Sequence, residues 1–254
     1  MPTNTPRKIE AVHKTCQIIG ILRERGEAGI TEISEEMDFS KSAVHGHLAT
    51  LNHEGFVVKE DHTYHLSFRF LSIAESVKAR IAKQDVIKEQ VRTLAEETSE
   101  VVHFGAEENG RIVYLAKSKG NSAVETVSRI GKRMPMHSTS MGKAILAELP
   151  TDRTKAILEQ YELTERTEHT ITDPDHLLDE LNDTHKRGFA IDREENIPGV
   201  RCIGMAVSGP EATVFGAISI SGPAQRMTDD RIENELSEKV AQAANIVEVN
   251  SMYS

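Results

Sequence analysis

The hydrophobic positions near the start of the chain repeat every three or four residues, which is the period of an amphipathic helix. Gly26 and Gly29 are expected to end this first helix. A second, shorter helix should follow, with Thr31 as its N-cap and with Ile33 and Met37 on its buried side. The apolar stripe of the first helix consists of Ile9, Val12, Cys16, Ile19 and Leu22.

A third helix is predicted after a turn at residues 38–40, with Ser40 as its N-cap. Val44, Leu48 and Leu51 lie at positions i, i+4 and i+7 of this helix, so they are expected to face inward. Residues 56–58 and 64–66 then predict two short strands joined by a turn at residues 61–63. Two helices followed by a hairpin are typical of a winged helix-turn-helix, which places its second helix in the major groove of DNA.

The outer face of the third predicted helix carries side chains suited to contact with DNA. Small residues allow the backbone to approach base edges, while Ser, His, Asn and Lys side chains can hydrogen-bond to bases or phosphates. The alternative is an ordinary helical hairpin within some other kind of domain. The residues predicted to bind DNA are Ser40, Lys41, Ser42, His45, Gly46, Ala49 and Asn52.

Charge does not by itself favour nucleic acid as a partner. Residues 1–70 contain eight Lys or Arg against ten Asp or Glu, whereas DNA-binding domains are usually basic. However, residues 39–53 contain no acid, and the acidic residues concentrate at residues 32–38, in the helix that should lie farther from the groove floor. The sequence therefore predicts weak nonspecific binding, or binding that depends on dimerisation and base contacts.

Helical spacing continues from residue 70 to residue 97 without Gly or Pro, which predicts a helical connection. After residue 100 the pattern alternates between strands and helices. A hairpin is predicted at residues 101–106 and 111–116, and further strands at residues 124–129, 189–191, 202–208 and 214–221. Helices are predicted at residues 143–149, 152–159, 174–187 and 228–247, and residues 131–133 and 135 are expected to be turn and loop.

This order predicts an α+β chain of two domains, the larger one with a mainly antiparallel sheet of the kind that holds a small molecule. The boundaries are placed at residues 1–70 for the DNA-binding domain, 71–85 for a helical linker and 86–254 for the larger domain. The polar start of the chain and the absence of a long apolar run favour a cytoplasmic protein rather than a membrane protein. Cys16 and Cys202 fall in different domains, so no disulfide is expected.

Four motifs, in order, give the chain a resemblance to the IclR family of transcriptional regulators, named after the isocitrate lyase regulator. They are MHSTSMGKA at residues 136–144, RGFAID at 187–192, PGVRCI at 198–203 and AISISGP at 217–223. The resemblance implies a winged helix-turn-helix, a helical linker and a C-terminal GAF-like domain that binds an effector and supports oligomerisation. Such proteins act as homodimers or homotetramers on palindromic operators of catabolic genes, in response to a small metabolite.

The resemblance also implies an effector site for an organic or sugar acid. Ser140 and Met141 would contribute backbone groups from a loop, and Gly142 would open a helix whose N-terminus favours an anion. Ser140 and Met141 replace smaller residues found in other acid-binding members, so a different ligand could fit. The residues carried over as effector-binding are Ser140, Met141, Asp192, Cys202, Ser219 and Ser221.

The sequence predicts no cofactor, and two alternative functions remain open on the sequence alone. A catalytic site would need Cys202, His137 and Asp192 within hydrogen-bonding reach as nucleophile, base and orienting group. A metal-sensing regulator is suggested by eleven histidines, but His45 and His47 lie about 200° apart around a helix and do not easily share an ion. The sequence therefore predicts no catalytic residues and no metal ligands.

Overall fold

The computed structural model describes residues 8–81, 83–123, 128–209 and 213–252. It divides into two compact units, Met1–Ile81 and Ala82–Ser254. Both contain helices and sheets, which confirms the α+β prediction. The placement of a separate linker at residues 71–85 stays a prediction.

The first unit is a winged helix-turn-helix. Its three strands form an antiparallel sheet in the order β1-β3-β2, in which β2 and β3 are the predicted hairpin and β1 is an additional strand. The short strand β1 was not predicted because three residues are too few to show an alternating pattern. The elements are α1 (Glu10–Arg25), β1 (Glu27–Gly29), α2 (Ile30–Met37), α3 (Lys41–His53), β2 (Val57–Glu60), β3 (Thr63–Leu66) and α4 (Arg69–Lys78).

The core of this unit confirms the inward face predicted for α3 and corrects the stripe predicted for α1. Val44, Leu48 and Leu51 are buried. By contrast, Ile9, Val12 and Cys16 are exposed, because only the last turns of α1 lie over the core formed by α2, α3 and the sheet. The buried positions of α1 are Ile18, Ile21 and Leu22.

Capping interactions set where the two central helices begin. The Ser40 hydroxyl accepts a hydrogen bond from the backbone N–H of Ala43 at 3.3 Å, which confirms Ser40 as the N-cap of α3. The prediction for α2 was wrong, because this helix begins at Ile30 and its N-cap is Gly29 rather than Thr31. The Glu32 carboxylate accepts from the Gly29 N–H at 2.6 Å and satisfies the start of the helix instead.

The predicted helical connection is present but interrupted. α4 ends at Lys78, and the next helix, α5 (Gln84–Thr98), begins after Lys83, which has a left-handed backbone. None of the side chains on α4 is buried within the chain, and Leu71 and Val77 are 64% and 55% exposed.

The second unit is built on a six-stranded antiparallel sheet in the order β6-β5-β4-β9-β8-β7. Its strands are β4 (Val101–Glu108), β5 (Arg111–Lys119), β6 (Arg133–Pro135), β7 (Ala190–Arg193), β8 (Val200–Ser208) and β9 (Val214–Pro223). Its remaining helices are α6 (Ser140–Glu148), α7 (Thr151–Gln160), α8 (Pro174–Arg187), α9 (Asp229–Arg231) and α10 (Ser237–Met252), with a π-helical segment at Ile232–Leu236 between the last two.

Three segments of this unit differ from their predicted structure or extent. Residues 133–135 form the edge strand β6 rather than a loop; a proline is compatible with an edge because it cannot donate to a second neighbour. Of the strand predicted at residues 124–129, residues 124–127 lie outside the described residues, and Ser128 and Arg129 are not in a strand. The last helix continues to Met252, beyond its predicted end at residue 247.

The sheet has helices on both faces. α5 and α10 pack together on one face, and α6 packs against β7, β8 and β9 on the other, with α8 beside it. None of the helices in the described part of the chain combines the length and apolar character needed to cross a membrane.

Candidate nucleic-acid interface and ligand site

The outer face of α3 is accessible along its whole length. Burial of Val44 and Leu48 anchors the opposite side of the helix, which fixes the orientation of this face. Gly46 adds no bulk, and nothing lies within 4 Å of the position a β-carbon would take there. The exposed residues include every position predicted to bind DNA: Ser40, Lys41, Ser42, His45, Gly46, Ala49 and Asn52.

The histidines of this unit give no support to a metal site. His47 is half-buried, and its Nδ1 lies 2.8 Å from the Thr15 hydroxyl, so this ring joins α3 to α1. His45 is on the exposed face of α3. Among the described residues, no group of three or more His, Cys, Asp or Glu is placed to hold a metal ion.

The sheet of the second unit brings four predicted effector residues together. Asp192 lies directly opposite Cys202, and Cys202 lies directly opposite Ser221 on the next strand. Ser219 lies opposite Gly204 in the adjacent row. Residues directly opposite each other on neighbouring strands share a face of the sheet, and so do residues two apart on one strand, such as Ser219 and Ser221. All four side chains therefore point to one side of the sheet. We call Asp192, Cys202, Ser219 and Ser221 the polar patch.

The first turn of α6 lies on the same side as the polar patch. A β-carbon added at Gly204 would lie 2.9 Å from the Met141 backbone nitrogen and 2.7 Å from the Ser140 carbonyl carbon, so glycine is what lets the helix approach β8. The helix begins at Ser140, with Thr139 as its N-cap. The prediction that it opens at Gly142 was therefore wrong: the Thr139 hydroxyl accepts from the Gly142 N–H at 3.2 Å, which extends the helix backwards.

Ser140 and Met141 are thus residues of a helix start and not of a preceding loop. Both are buried, at 3% and 2% exposure. Backbone N–H groups in a first helical turn have no intrahelical acceptor, and they carry the positive end of the helix dipole toward this face of the sheet. The Met141 side chain packs into the apolar core, so bulk at this position does not project into the polar patch as a loop side chain would.

Burial controls the protonation of two groups in the polar patch. It raises the pKa of Asp192 from an ordinary 3.8 to about 7, with a further contribution from the nearby Glu195 carboxylate. The backbone N–H of Glu195 donates to Asp192 at 2.8 Å. Burial also raises the pKa of the Cys202 thiol, and Asp192 adds to that effect. Cys202 is therefore a protonated thiol, which is unsuited to nucleophilic attack.

The other member of the hypothetical catalytic triad also has a different role. His137 is buried, and its Nε2 lies 3.2 Å from the Thr164 carbonyl oxygen, which lies in the segment after α7. Burial lowers the pKa of His137. Its hydrogen bond holds this segment against the start of α6 and does not orient a base toward Cys202.

Two aromatic residues beside the polar patch were not predicted. His103 lies on β4 directly opposite Ser219, and its ring stacks on Tyr114 with centroids 4.5 Å apart. The Nε2 of His103 lies 2.8 Å from the Ser128 hydroxyl. A histidine inside the otherwise apolar run of residues 101–104 is the signal that could have identified it.

A buried ion pair fixes the loop that follows β7. The Lys143 side chain is fully buried on α6, and its Nζ lies 2.6 Å from Glu195 and 3.3 Å from Glu180. Glu180 also accepts from Arg187 at 2.8 Å. Since Glu195 donates its backbone N–H to Asp192, the same ion pair positions one member of the polar patch.

Comparison with known proteins agrees with both parts of this structure. The family described as the IclR helix-turn-helix domain matches residues 11–61, and the family described as the bacterial transcriptional regulator IclR C-terminal domain matches residues 78–249. The second match alone covers more than half of the chain.

Relatives match over nearly the full length. The HTH-type transcriptional regulator KdgR of Escherichia coli is 35% identical over 231 residues, which cover 90% of this chain and 88% of KdgR. A probable HTH-type transcriptional regulator, ArcR of Halobacterium salinarum, is 31% identical over 248 residues, which cover 96% of this chain and 94% of ArcR.

The crystal structure of Thermotoga maritima IclR superposes with a TM-score of 0.81 at 29% identity, covering 97% of this chain and 100% of that one. These relatives are transcriptional regulators and not enzymes. The chain belongs to the IclR family of DNA-binding transcriptional regulators, with an N-terminal helix-turn-helix and a C-terminal effector domain.

Proposed function

We propose that this protein regulates catabolic genes in the cytoplasm by binding a palindromic operator as a homodimer or homotetramer. A small organic or sugar acid binds between the first turn of α6 and the polar patch, and its binding changes the affinity for the operator. Such a change requires only that the ligand bind the DNA-competent and DNA-incompetent states with different affinities.

The observation that carries this proposal is the convergence of six residues from four separate motifs on one side of the sheet. The helix start presents backbone N–H groups and the positive end of its dipole to an anion, and the polar patch supplies hydroxyl and carboxyl groups. Asp192 is partly protonated near neutral pH, so it can donate a hydrogen bond to an acid instead of repelling it.

The exposed face of α3 supports DNA as the other partner. Ala49 and Gly46 leave room for base edges, His45 can hydrogen-bond to a base, and Lys41 lies at the start of the helix where a phosphate would bind. Few Lys or Arg side chains lie in this region, so one copy of the domain gains little binding energy from phosphates. A dimer offsets this because its two DNA-binding domains bind the operator together.

DNA binding is tested with Lys41→Ala and His45→Ala in the full chain. Each is expected to weaken operator binding about tenfold or more, as loss of a phosphate or base contact does, while thermal stability stays unchanged. Lys155→Ala, on the exposed face of α7 in the other unit, is the matched control. Loss of folding in either α3 variant would contradict the assignment of this face to the surface.

The effector site is tested with Ser221→Ala combined with Asp192→Ala. DNA binding should be retained and its response to acids lost, as measured by fluorescence anisotropy of a labelled operator. Survival of the response in this double variant would mean that the effector binds elsewhere.

A further inference from the structure

One buried nitrogen of His103 has no hydrogen-bonding partner in the described part of its domain. The residue is 3% exposed, and while Nε2 is hydrogen-bonded to Ser128, Nδ1 has no hydrogen-bonding partner among the described residues. A buried polar atom without a partner costs about 1–3 kcal/mol, so its retention calls for an explanation. A ligand that supplies the missing partner is one such explanation.

The position of His103 places this nitrogen beside the proposed effector site. His103 is paired with Ser219, so its side chain lies on the same face of the sheet as the polar patch. Burial, reinforced by Lys117 and Lys132, lowers the pKa of His103 to about 3. The ring is therefore neutral at physiological pH and offers a hydrogen bond without a charge.

Tyr114 lies on β5, the strand beyond the one that carries His103. Its ring stacks on His103, and it packs in the same core cluster as Met141. Burial raises the pKa of the Tyr114 hydroxyl, and the electrostatic effects of Cys202 and Asp192 raise it further. The hydroxyl therefore stays protonated. Across the strands, the face thus presents the carboxyl group of Asp192 on β7, the hydroxyl groups of the polar patch on β9, the neutral imidazole of His103 on β4 and the phenol of Tyr114 on β5.

The spacing of these groups sets the size of the molecule that could use all of them. Asp192 on β7 and His103 on β4 are separated by β8 and β9, which is about 14 Å between backbones at roughly 4.8 Å per strand. A five- or six-carbon acid extends farther along this row of side chains than a three-carbon acid does. A longer molecule with several polar groups therefore contacts more of these side chains at once.

The tautomer of His103 favours a hydroxyl group as the partner. Nδ1 is a donor if Nε2 accepts from Ser128, and an acceptor if Nε2 donates. A hydroxyl group can satisfy either state, whereas a carboxylate can satisfy only the donor.

We infer that His103 and Tyr114 bind the distal hydroxyl groups of the effector, and that the effector is a five- or six-carbon polyhydroxy acid. This inference rests on the proposed effector site. The carboxylate lies at the first turn of α6, hydroxyl groups along the chain reach the polar patch, and the terminal hydroxyls reach His103.

Isothermal titration calorimetry of the full chain with D-gluconate, D-galacturonate, pyruvate and glyoxylate tests this inference. The wild type should bind at least one of the two sugar acids more tightly than either short acid. His103→Phe keeps the ring stack but removes the nitrogen, and Tyr114→Phe removes only the hydroxyl. Each is expected to weaken sugar-acid binding about tenfold or more and short-acid binding less than about twofold, with His176→Phe on the exposed face of α8 as the matched control.

A spectroscopic measurement on the wild type covers the case in which a variant fails to fold. With 15N-labelled histidine, the sugar acid should move the His103 Nδ1 resonance and pyruvate should not. The inference is overturned if sugar acids bind no more tightly than short acids, if the variants lose both classes equally, or if the resonance does not respond.

A further variant distinguishes failure of the proposed function from failure of this inference. Ser219→Ala combined with Ser221→Ala should weaken binding of both acid classes. If that double variant weakens both while His103→Phe and Tyr114→Phe weaken neither, the effector site stands and only the role of the aromatic pair is lost. If no acid binds the wild type, or if the serine variant binds acids normally, the acid site itself is wrong.

Discussion

The Nζ atom of Lys143, on the first turns of α6, lies 2.6 Å from the Oε1 atom of Glu195 in the loop after β7, and both side chains are shielded from solvent. Burial of the two charges is tolerable only because each neutralises the other. The pair joins the helix above the polar patch to the loop that hydrogen-bonds Asp192.

Lys143→Met is expected to destabilise the second unit by about 3–5 kcal/mol, because Glu195 is left buried and without its cation. Glu195→Gln should also be destabilising, and the double variant should lose less stability than the two single variants together. Urea unfolding followed by circular dichroism measures all three. Lys155→Met, at an exposed position, should change stability by less than about 0.5 kcal/mol; additive single effects would show that the two side chains are not coupled.

Stability should depend on pH through Asp192. Its pKa is about 7 in the folded chain and near 3.8 when unfolded, so between these values the folded state holds more protons. The stabilisation that comes from protonating Asp192 in the folded state is complete below about pH 4, and it is lost as the pH rises through 7. Asp192→Asn should remove at least about 1 kcal/mol of the stability difference between pH 5 and pH 8.

The neighbours of Asp192 define the control for this measurement. Glu195 raises its pKa, while Lys143 and two backbone N–H groups lower it, so the net direction is set by burial. Denaturant midpoints at pH 5, 6, 7 and 8 are compared with those of Asp192→Asn and of Asp179→Asn, an exposed position on α8. Equal pH dependence in the wild type and Asp192→Asn would contradict the assignment.

The approach of α6 to the sheet depends on Gly204. In Gly204→Ala the new methyl group would lie 2.7 Å from the Ser140 carbonyl carbon, so the helix must move away from β8. We expect a loss of about 1–3 kcal/mol in stability, and weaker acid binding because the helix start no longer lies at its distance from the polar patch.

Gly20→Ala is the matched control for that substitution. Gly20 lies within α1, and nothing lies within 4 Å of the position that a methyl group would take there, so alanine should be neutral or stabilising by up to about 1 kcal/mol. Chemical denaturation and calorimetry provide the two measurements. If the Gly204→Ala variant binds acids as tightly as the wild type does, the helix start does not contribute to binding.

The exposed apolar side chains of α4 are expected to form a contact between copies of this chain. Leu71→Ser and Val77→Ser remove apolar area that the chain itself does not cover, so dimer dissociation constants should rise about tenfold or more. Sedimentation equilibrium measures this directly, with Ser72→Ala on the same helix as the control. Unchanged self-association in both variants would place the dimer contact elsewhere.

Local sequence patterns were sufficient for the elements whose burial is decided within one helix or hairpin. The face of α3 was predictable because Val44, Leu48 and Leu51 recur with the helical period. The turn at Asn109-Gly110, where both residues have positive φ, identified the β4–β5 hairpin. The π-helical segment at Ile232–Leu236 leaves no comparable mark in the sequence.

Other features depend on packing between distant segments. The first half of the α1 stripe resembles a buried face, but Ile9 and Val12 extend past the core, and no property of α1 alone reveals where the core ends. Gly142 was expected to open α6, and the true start depends on a threonine side chain whose geometry is set by Pro135.

The candidate ligand site shows the same division. The resemblance supplied six positions, and the strand register then placed four of them side by side. His103 and Tyr114 were missed because their relation to the polar patch depends on which strands are neighbours, and β4 and β9 are far apart in the sequence.

The two faces of the sheet suggest how occupancy of the ligand site is communicated. Ser219 and Ser221 point toward α6, while Ile218 and Ile220, alternating with them on β9, point to the opposite face, where α5 and α10 pack. Along the chain, helix α5 directly follows the segment that leads out of the helix-turn-helix unit. In the proposed function, the effect of a bound ligand has to cross this single layer of strands to reach α5, and a small change in the twist of the sheet is the shortest available route.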